Sequence, residues 1–314
     1  MSGCSFRHEI LHYGGGANGF LDGTFPFIRG ALAVEEPVFV AVGRERSEPL
    51  REALGDDAER VYFADTRQLA NPGRIISMWH DLLANSRTST NGSSPAVLGI
   101  GESAWPGRSA AELVECQRQE ALLNLAFRRG PAWHLLCPYD MDRLEDHVIE
   151  AARSSHAFVA HEGESQPNAA YRCADEPARP FAGDLPRPQA AVRELEFDEQ
   201  GLGVLRRFVS SWGGEEQLEL EATEELVLAV NELATNSIRY GGGQGTLRVW
   251  RENRELLCEV SDGGYIEDPL VGRRRPAPDA QSGRGLWLVN NVCDLVQIRS
   301  SQAGTVVRVH KRLS

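Results

Sequence analysis

The sequence predicts an α/β protein built in two parts. Three observations carry that expectation. Between residues 38 and 158 short apolar runs alternate with longer helical segments, residues 162–190 are rich in proline and glycine, and from residue 191 onward strands and helices resume in a different order. The parts are expected at 1–161 and 191–314, with 162–190 as a linker whose length would let them move. No internal repeat or low-complexity tract interrupts either part.

In the first part, the runs Val38-Phe39-Val40-Ala41-Val42, Val61-Tyr62-Phe63, Val97-Leu98-Gly99-Ile100 and Trp133-His134-Leu135-Leu136-Cys137 read as buried strands. Helices are expected near 46–55, 73–86 and 109–129. Strands alternating with helices imply a parallel sheet covered on both faces, and ligands of such sheets sit beyond the carboxyl ends of the strands. Those ends are Gly43-Arg44, Asp65-Thr66, Gly101-Glu102-Ser103 and Pro138-Tyr139-Asp140. Glu102 is a candidate site carboxylate there, or equally a turn residue. Trp105, Trp133 and Tyr139 read as core or rim.

Gly14-Gly15-Gly16-Ala17-Asn18-Gly19 precedes the first of these strands and lacks the lysine and hydroxyl of a phosphate loop, so it reads as a flexible turn. His8 and His12 are four apart and on a helix would share a face. Two ligands do not define a metal site, and no third is identifiable beside them.

The second part opens with a strand at 191–197. A helix follows at 201–212, with Leu202, Leu205, Phe208 and Val209 on one face. A longer helix runs from near Glu221 to Tyr240, where Gly241-Gly242-Gly243 stops it. Strands at 245–251 and 255–261 form a hairpin around Glu252-Asn253-Arg254. After a long loop come a helix at 285–292 and closing strands at 294–299 and 304–311.

Composition narrows the function classes. With 41% hydrophobic and 25% charged residues the chain suits a globular protein, and its net charge of -12 argues against direct nucleic-acid binding. The one dense basic run, Arg273-Arg274-Arg275, reads as a mobile loop near phosphates or solvent. The six cysteines (Cys4, Cys116, Cys137, Cys173, Cys258, Cys293) form no CxxC pair, which fits reduced thiols in a cytoplasm. The N-terminal residues lack the basic-then-apolar build of a signal peptide, and no apolar run approaches the roughly 18 residues that span a bilayer. A cytoplasmic protein with no membrane partner is expected.

Three short pieces carry candidate chemistry. Glu232 and Asn236 project from one face of the longer helix, above the stripe Leu226, Val230 and Leu233. An asparagine carbonyl suits a magnesium ion that keeps waters and bridges phosphates. A glutamate beside it is placed to accept a proton from an attacking hydroxyl or water. Taken alone, a pair of this kind reads as a solvated polar face. Asp262 ends a strand, where a carboxylate can accept from an exocyclic amine such as adenine N6, with Gly263 and Gly264 letting backbone approach the ring. Asp-Gly there is also an ordinary turn. Gly283-Arg284-Gly285 precedes a helix and can point successive amides at an anion, with Arg284 adding charge.

Two resemblances follow from these residues. His8-Glu9-Ile10-Leu11-His12-Tyr13, Gly101-Glu102, the helix at 115–129 and Cys137-Pro138-Tyr139-Asp140 together resemble the MEDS sensory domain. That resemblance implies a RecA-like core without the ATP-binding loop, and a small-molecule ligand. In the second part the order helix ExxxN, strand-end DxG, long loop, GxGLxxV and a closing strand with Thr305 resembles the GHKL ATPase superfamily, closest to the anti-sigma-factor serine kinases. This implies an α/β sandwich in which Asn236 binds Mg2+ through ATP, Asp262 with Gly264 reads adenine, and Gly283, Arg284, Gly285 and Leu286 hold phosphates. Thr305 would support the adenine pocket and Glu232 would match the general base. The family's DxGxG pattern would place a further glycine at 266, where this chain has Ile266, which puts the hinge of the lid in question.

The implied function is a regulator of bacterial transcription in stress responses. It would bind a sigma factor and use ATP to phosphorylate a serine on a STAS-type anti-sigma antagonist, with homodimer formation left open. The alternative is a non-catalytic, ATP-gated anti-sigma adaptor. A histidine kinase ranks below both, because residues 162–190 contain no histidine, leaving His156 and His161 as the only nearby acceptors.

Overall fold

The computed structural model describes residues 6–65, 70–88, 96–130, 132–161, 163–172, 183–277 and 283–313. The chain divides into two compact units, Met1–Asp175 and Glu176–Ser314. Cys4, Cys173, the strand-end Thr66, and residues 162 and 173–182 of the expected linker lie outside the described residues.

The first unit is a seven-stranded sheet in the order β3-β2-β4-β5-β1-β6-β7. Its strands are β1 (Phe6–Tyr13), β2 (Val38–Val42), β3 (Val61–Asp65), β4 (Val97–Gly101), β5 (Trp133–Asp140), β6 (Phe158–His161) and β7 (Glu164–Pro167). The helices are α1 (Gly16–Ala33), α2 (Arg44–Leu54), α3 (Ile75–Thr88), α4 (Ala110–Ala126) and α5 (Asp146–Ser155). Every pairing is parallel except β6 with β7. Strands β2 and β4 are buried almost throughout, as expected of strands covered on both faces. Helix α4 starts at a capping box in which Ser109 and Glu112 bond each other's backbone amides.

Three expectations are corrected here. His8 and His12 lie on β1, an interior strand between β5 and β6, and not on a helix. Spacing of four still puts them on one face, because a strand repeats every two residues. Second, the glycine run is no flexible turn: Gly15 caps α1 in the left-handed region, with φ 75°. The Asp142 carboxylate accepts from Gly15 N at 2.7 Å, so a protein carboxylate takes the place at this helix start where a phosphate loop would hold its anion. Third, Glu164–Pro167, at the start of the expected linker, is a strand paired to β6.

The second unit is a five-stranded antiparallel sheet in the order β11-β12-β10-β9-β8, with three helices packed on one face. Its elements are β8 (Arg193–Asp198), α6 (Leu202–Glu215), α7 (Leu220–Tyr240), β9 (Gln244–Glu252), β10 (Glu255–Asp262), α8 (Arg284–Val292), β11 (Leu295–Ser301) and β12 (Gly304–Arg312). Strand alternation sorts the side chains. Leu256, Cys258 and Val260 of β10 join the core beneath the helices, while Glu259 on the other face pairs with Arg308 at 2.7 Å. Helix α7 buries Thr223, Leu226, Val230, Leu233 and Ser237, a repeat of three and four that matches one helical face. The α/β sandwich therefore rests on α7, whose other face is free to carry polar groups.

Cys116, Cys137, Cys258 and Cys293 are buried thiols. No helix among the described residues is long and apolar enough to cross a membrane. His156 is wholly buried at the end of α5 and His161 lies on β6, so neither sits on a helical hairpin.

Candidate functional site

Between α7, the end of β10, the segment after it and the start of α8 lies a cleft of about 870 Å3. The nine residues that the resemblance assigns to the nucleotide line it: Glu232, Asn236, Asp262, Gly264, Gly283, Arg284, Gly285, Leu286 and Thr305. The volume falls in the range of small-molecule sites, roughly 300–1,000 Å3.

At one end, hydrogen bonds fix Asp262. Ser237 Oγ donates to its Oδ2 at 2.6 Å and Gly264 N to its Oδ1 at 2.8 Å. These bonds hold the carboxylate as an acceptor with lone pairs to spare. Thr305 lies opposite Asp262 in the β10–β12 ladder, and its hydroxyl donates to Gly264 O at 2.9 Å. Ser300 completes the network through its hydroxyl, 2.7 Å from that of Thr305. Glycines make this corner feasible: a Cβ on Gly264 would lie 2.7 Å from Tyr240 O, and one on Gly241 would lie 2.4 Å from Asp262 Cγ.

At the other end, α7 meets α8. Gly283 caps α8 with φ 85°, a conformation that favours glycine, and turns the chain into the helix. A Cβ on Gly285 would sit 2.8 Å from Glu232 Oε2 and 3.3 Å from Asn236 Nδ2. The carboxylate and amide thus reach the first turn of α8, where amides lack intrahelical partners. Arg284 is exposed at that turn, whereas Leu286 is buried in the core and only borders the cleft.

The segment after β10 is anchored. Ile266 N donates to Ser300 Oγ at 2.9 Å and its side chain packs against the core. Asn290 Nδ2 donates to Gly272 O at 3.1 Å, and Gly272 packs so closely on α8 that a Cβ would be 2.6 Å from Leu286 Cβ. Expectation and structure part at the arginine run. Arg274 and Arg275 are exposed and line the cleft, but Arg273 is buried, next to Gly272 where the chain packs on α8. Sequence reasoning missed Ser237, Ser300, Gly241 and Gly304, the last a position where a Cβ would lie 2.5 Å from Asp262 O. Their signal is faint, since each is a small residue whose role depends on a partner, Asp262 or Thr305, brought in by the fold.

In the first unit Arg46 joins the ends of β1, β4 and β5. Arg46 of α2 donates to Tyr13 Oη at 2.6 Å and Asp140 Oδ2 at 3.0 Å, and its Nε lies 3.1 Å from Glu102 Oε1. Burial pushes the Glu102 carboxyl above its ordinary range against the pull of Arg46. Tyr139 and Trp133 are core residues.

A helix-borne glutamate and asparagine, a strand-end aspartate and a glycine-capped helix around one cleft define a nucleotide-binding type of α/β sandwich. The model of the histidine kinase-like ATPase domain matches residues 195–311. Over 133 residues the chain is 30% identical to an anti-sigma F factor of Clostridium acetobutylicum, covering 38% of this chain and 93% of that protein. The MEDS model (methanogen/methylotroph, DcmR sensory domain) matches residues 7–157. A solved structure of the RsbU and RsbW domains of a Mycobacterium tuberculosis protein is 16% identical with a TM-score of 0.31, covering 66% of this chain and 49% of that one, so the chain spans about half its length. The chain belongs to the anti-sigma factor family of histidine kinase-like ATPases and carries a MEDS domain ahead of the ATPase domain.

Proposed function

We propose that the protein is an anti-sigma regulator that binds Mg-ATP in the cleft of its second unit, holds a sigma factor, and phosphorylates a serine on a STAS-type antagonist. The observation that carries this reading is the approach of Glu232 and Asn236 to the first turn of α8. The residues fit the nucleotide. Asp262, already fixed by Ser237 and Gly264, accepts from the adenine amine, and Gly241 and Gly264 let the chain pack close enough to hold that carboxylate at the cleft wall. Amides at Gly283 to Gly285 and the charge of Arg284 receive phosphate oxygens. The Asn236 carbonyl is a hard oxygen ligand for Mg2+. ATP supplies the γ-phosphoryl group. Glu232 takes the proton of the attacking serine hydroxyl, and positioning with charge neutralisation does the rest.

Incubating the purified chain with labelled ATP and its antagonist tests the reading. Transfer that disappears in Glu232→Gln supports it.

A second reading, an ATP-gated adaptor without phosphoryl transfer, is favoured by Ile266. Where the family pattern has a glycine, this residue is tied to Ser300 and packed on the core, which stiffens the segment after β10. ATP-dependent partner binding with no label on the antagonist would favour this second reading.

The first unit is proposed to receive a small-molecule signal that shifts the partner affinity of the second, which requires the signal to bind two states unequally. If a chain lacking residues 1–160 kept both its partner binding and its response to effectors, that coupling would be refuted.

A further inference from the structure

Four side chains that are remote in sequence converge inside the first unit, between the sheet and helices α4 and α5. They are His8 of β1, Glu120 of α4, Cys137 of β5 and His156 just after α5, none more than 2% exposed. One donor atom from each lies within 4.8 Å of all the others. His8 Nε2 is 2.9 Å from Glu120 Oε2 and 3.5 Å from Cys137 Sγ, while His156 Nε2 is 3.5 Å and Cys137 Sγ 3.9 Å from the same carboxylate oxygen. A tetrahedral ion with bonds of about 2.0–2.3 Å holds neighbouring donors roughly 3.3–3.7 Å apart. Four edges of the cluster run from 2.9 to 3.9 Å and the remaining pairs lie within 4.8 Å, so small side-chain shifts bring the four donors to that spacing.

The surroundings aim the lone pairs inward. Asn124 Nδ2 donates to Ser155 O at 2.7 Å, so its Oδ1, 3.1 Å from His8 Nδ1, is an acceptor and Nδ1 carries the proton. His156 Nδ1 likewise donates to Ala152 O at 2.7 Å. Both imidazoles therefore present Nε2 to the cluster, in the arrangement that outer hydrogen bonds impose on metal-bound histidines. Ser103 Oγ donates to Glu120 Oε1 and leaves Oε2 facing the other three groups. His156 Nε2 is buried and makes no hydrogen bond, an arrangement that folded proteins avoid unless a ligand satisfies it.

We propose that His8, Glu120, Cys137 and His156 form a binding site for a divalent transition-metal ion of the zinc class. A thiolate, a carboxylate and two neutral imidazoles around a 2+ ion sum to zero charge, which suits a site shut off from water. As the S–metal bond forms, the Cys137 thiol proton leaves to solvent, together with the proton shared by His8 and Glu120. One sulfur and two imidazole nitrogens favour zinc, cobalt or copper over magnesium or calcium. A void of about 20 Å3 borders Glu120 and Cys137, large enough for one water-sized ligand. The ion would join β1, β5, α4 and the end of α5, making the sheet and its helices one cross-linked body.

The test uses the full chain, stripped with chelator and loaded with Zn2+ or Co2+. Elemental analysis is expected to find one zinc per chain, and Co2+ to produce a sulfur-to-cobalt charge-transfer band. Cys137→Ser and His156→Gln are expected to weaken zinc binding roughly 100-fold or more, and Asn124→Ala about 10- to 100-fold. His147→Gln, which alters an exposed histidine, should leave binding unchanged. Circular dichroism checks that each variant is folded, and the cobalt spectrum of the unaltered chain needs no variant. The proposal is overturned if no stoichiometric zinc is retained, if cobalt binds without the sulfur band, or if folded Cys137→Ser and His156→Gln bind zinc as tightly as the parent.

Discussion

Glu232 and Asn236 share one face of α7 and reach the same turn of α8, so changing each of them separates chemistry from binding. Glu232→Gln keeps the shape and removes the proposed base. Phosphoryl transfer should fall about 100-fold or more, the usual contribution of a positioned base, while calorimetry finds ATP affinity nearly unchanged. Asn236→Ala should instead remove magnesium-dependent nucleotide binding. His12 provides a different residue-scale prediction. Burial and the charge of Arg153 lower its pKa from 6.5 to about 4, so it stays neutral in the folded chain. As pH falls from 6.5 toward 4 the unfolded chain takes up a proton that the folded chain refuses, and stability is lost over that window. Thermal melts of His12→Gln should show a shallower decline between those pH values than the parent.

At the scale of elements, the segment after β10 is where the two functional readings diverge. Ile266→Gly removes an apolar anchor and frees the backbone, so hydrogen exchange across residues 265–277 should rise. An unchanged exchange rate would mean that Asn290 and Gly272 alone hold the segment. Gly264→Ala, with its Cβ 2.7 Å from Tyr240 O, should destabilise the second unit by about 1–3 kcal/mol in chemical denaturation. These elements were legible in sequence because their periodicity is clean: α7 and the β9–β10 hairpin lie within a residue or two of expectation. The first unit hid more. Strand β1 buries His8 and Glu9, whose partners Glu120 and His134 arrive from distant segments, so its polar residues break the apolar run that marks a buried strand. Helix α1 contains four glycines and Pro26, a composition that argues against a helix. Gly19 is required there, because a Cβ would lie 1.6 Å from Gly14 O. The same remoteness concealed the site in the first unit. His8 was visible, but its neighbours Glu120 and Cys137 are 112 and 129 residues away along the chain.

At the scale of the whole molecule, a MEDS domain and an ATPase domain of the anti-sigma factor family share one chain, and the proposed function would join a signal at the first to a partner switch at the second. The switch depends on whether the cleft transfers phosphate, since phosphorylation would alter the antagonist covalently whereas gating would only hold it. Intact-mass spectrometry of the antagonist, after timed incubation with the full chain and Mg-ATP, tests this most directly. The account predicts one added phosphoryl group on a serine, accumulating with time and absent with Glu232→Gln. An antagonist that binds only in the presence of ATP yet keeps its mass, or that is phosphorylated equally by Glu232→Gln, would contradict it.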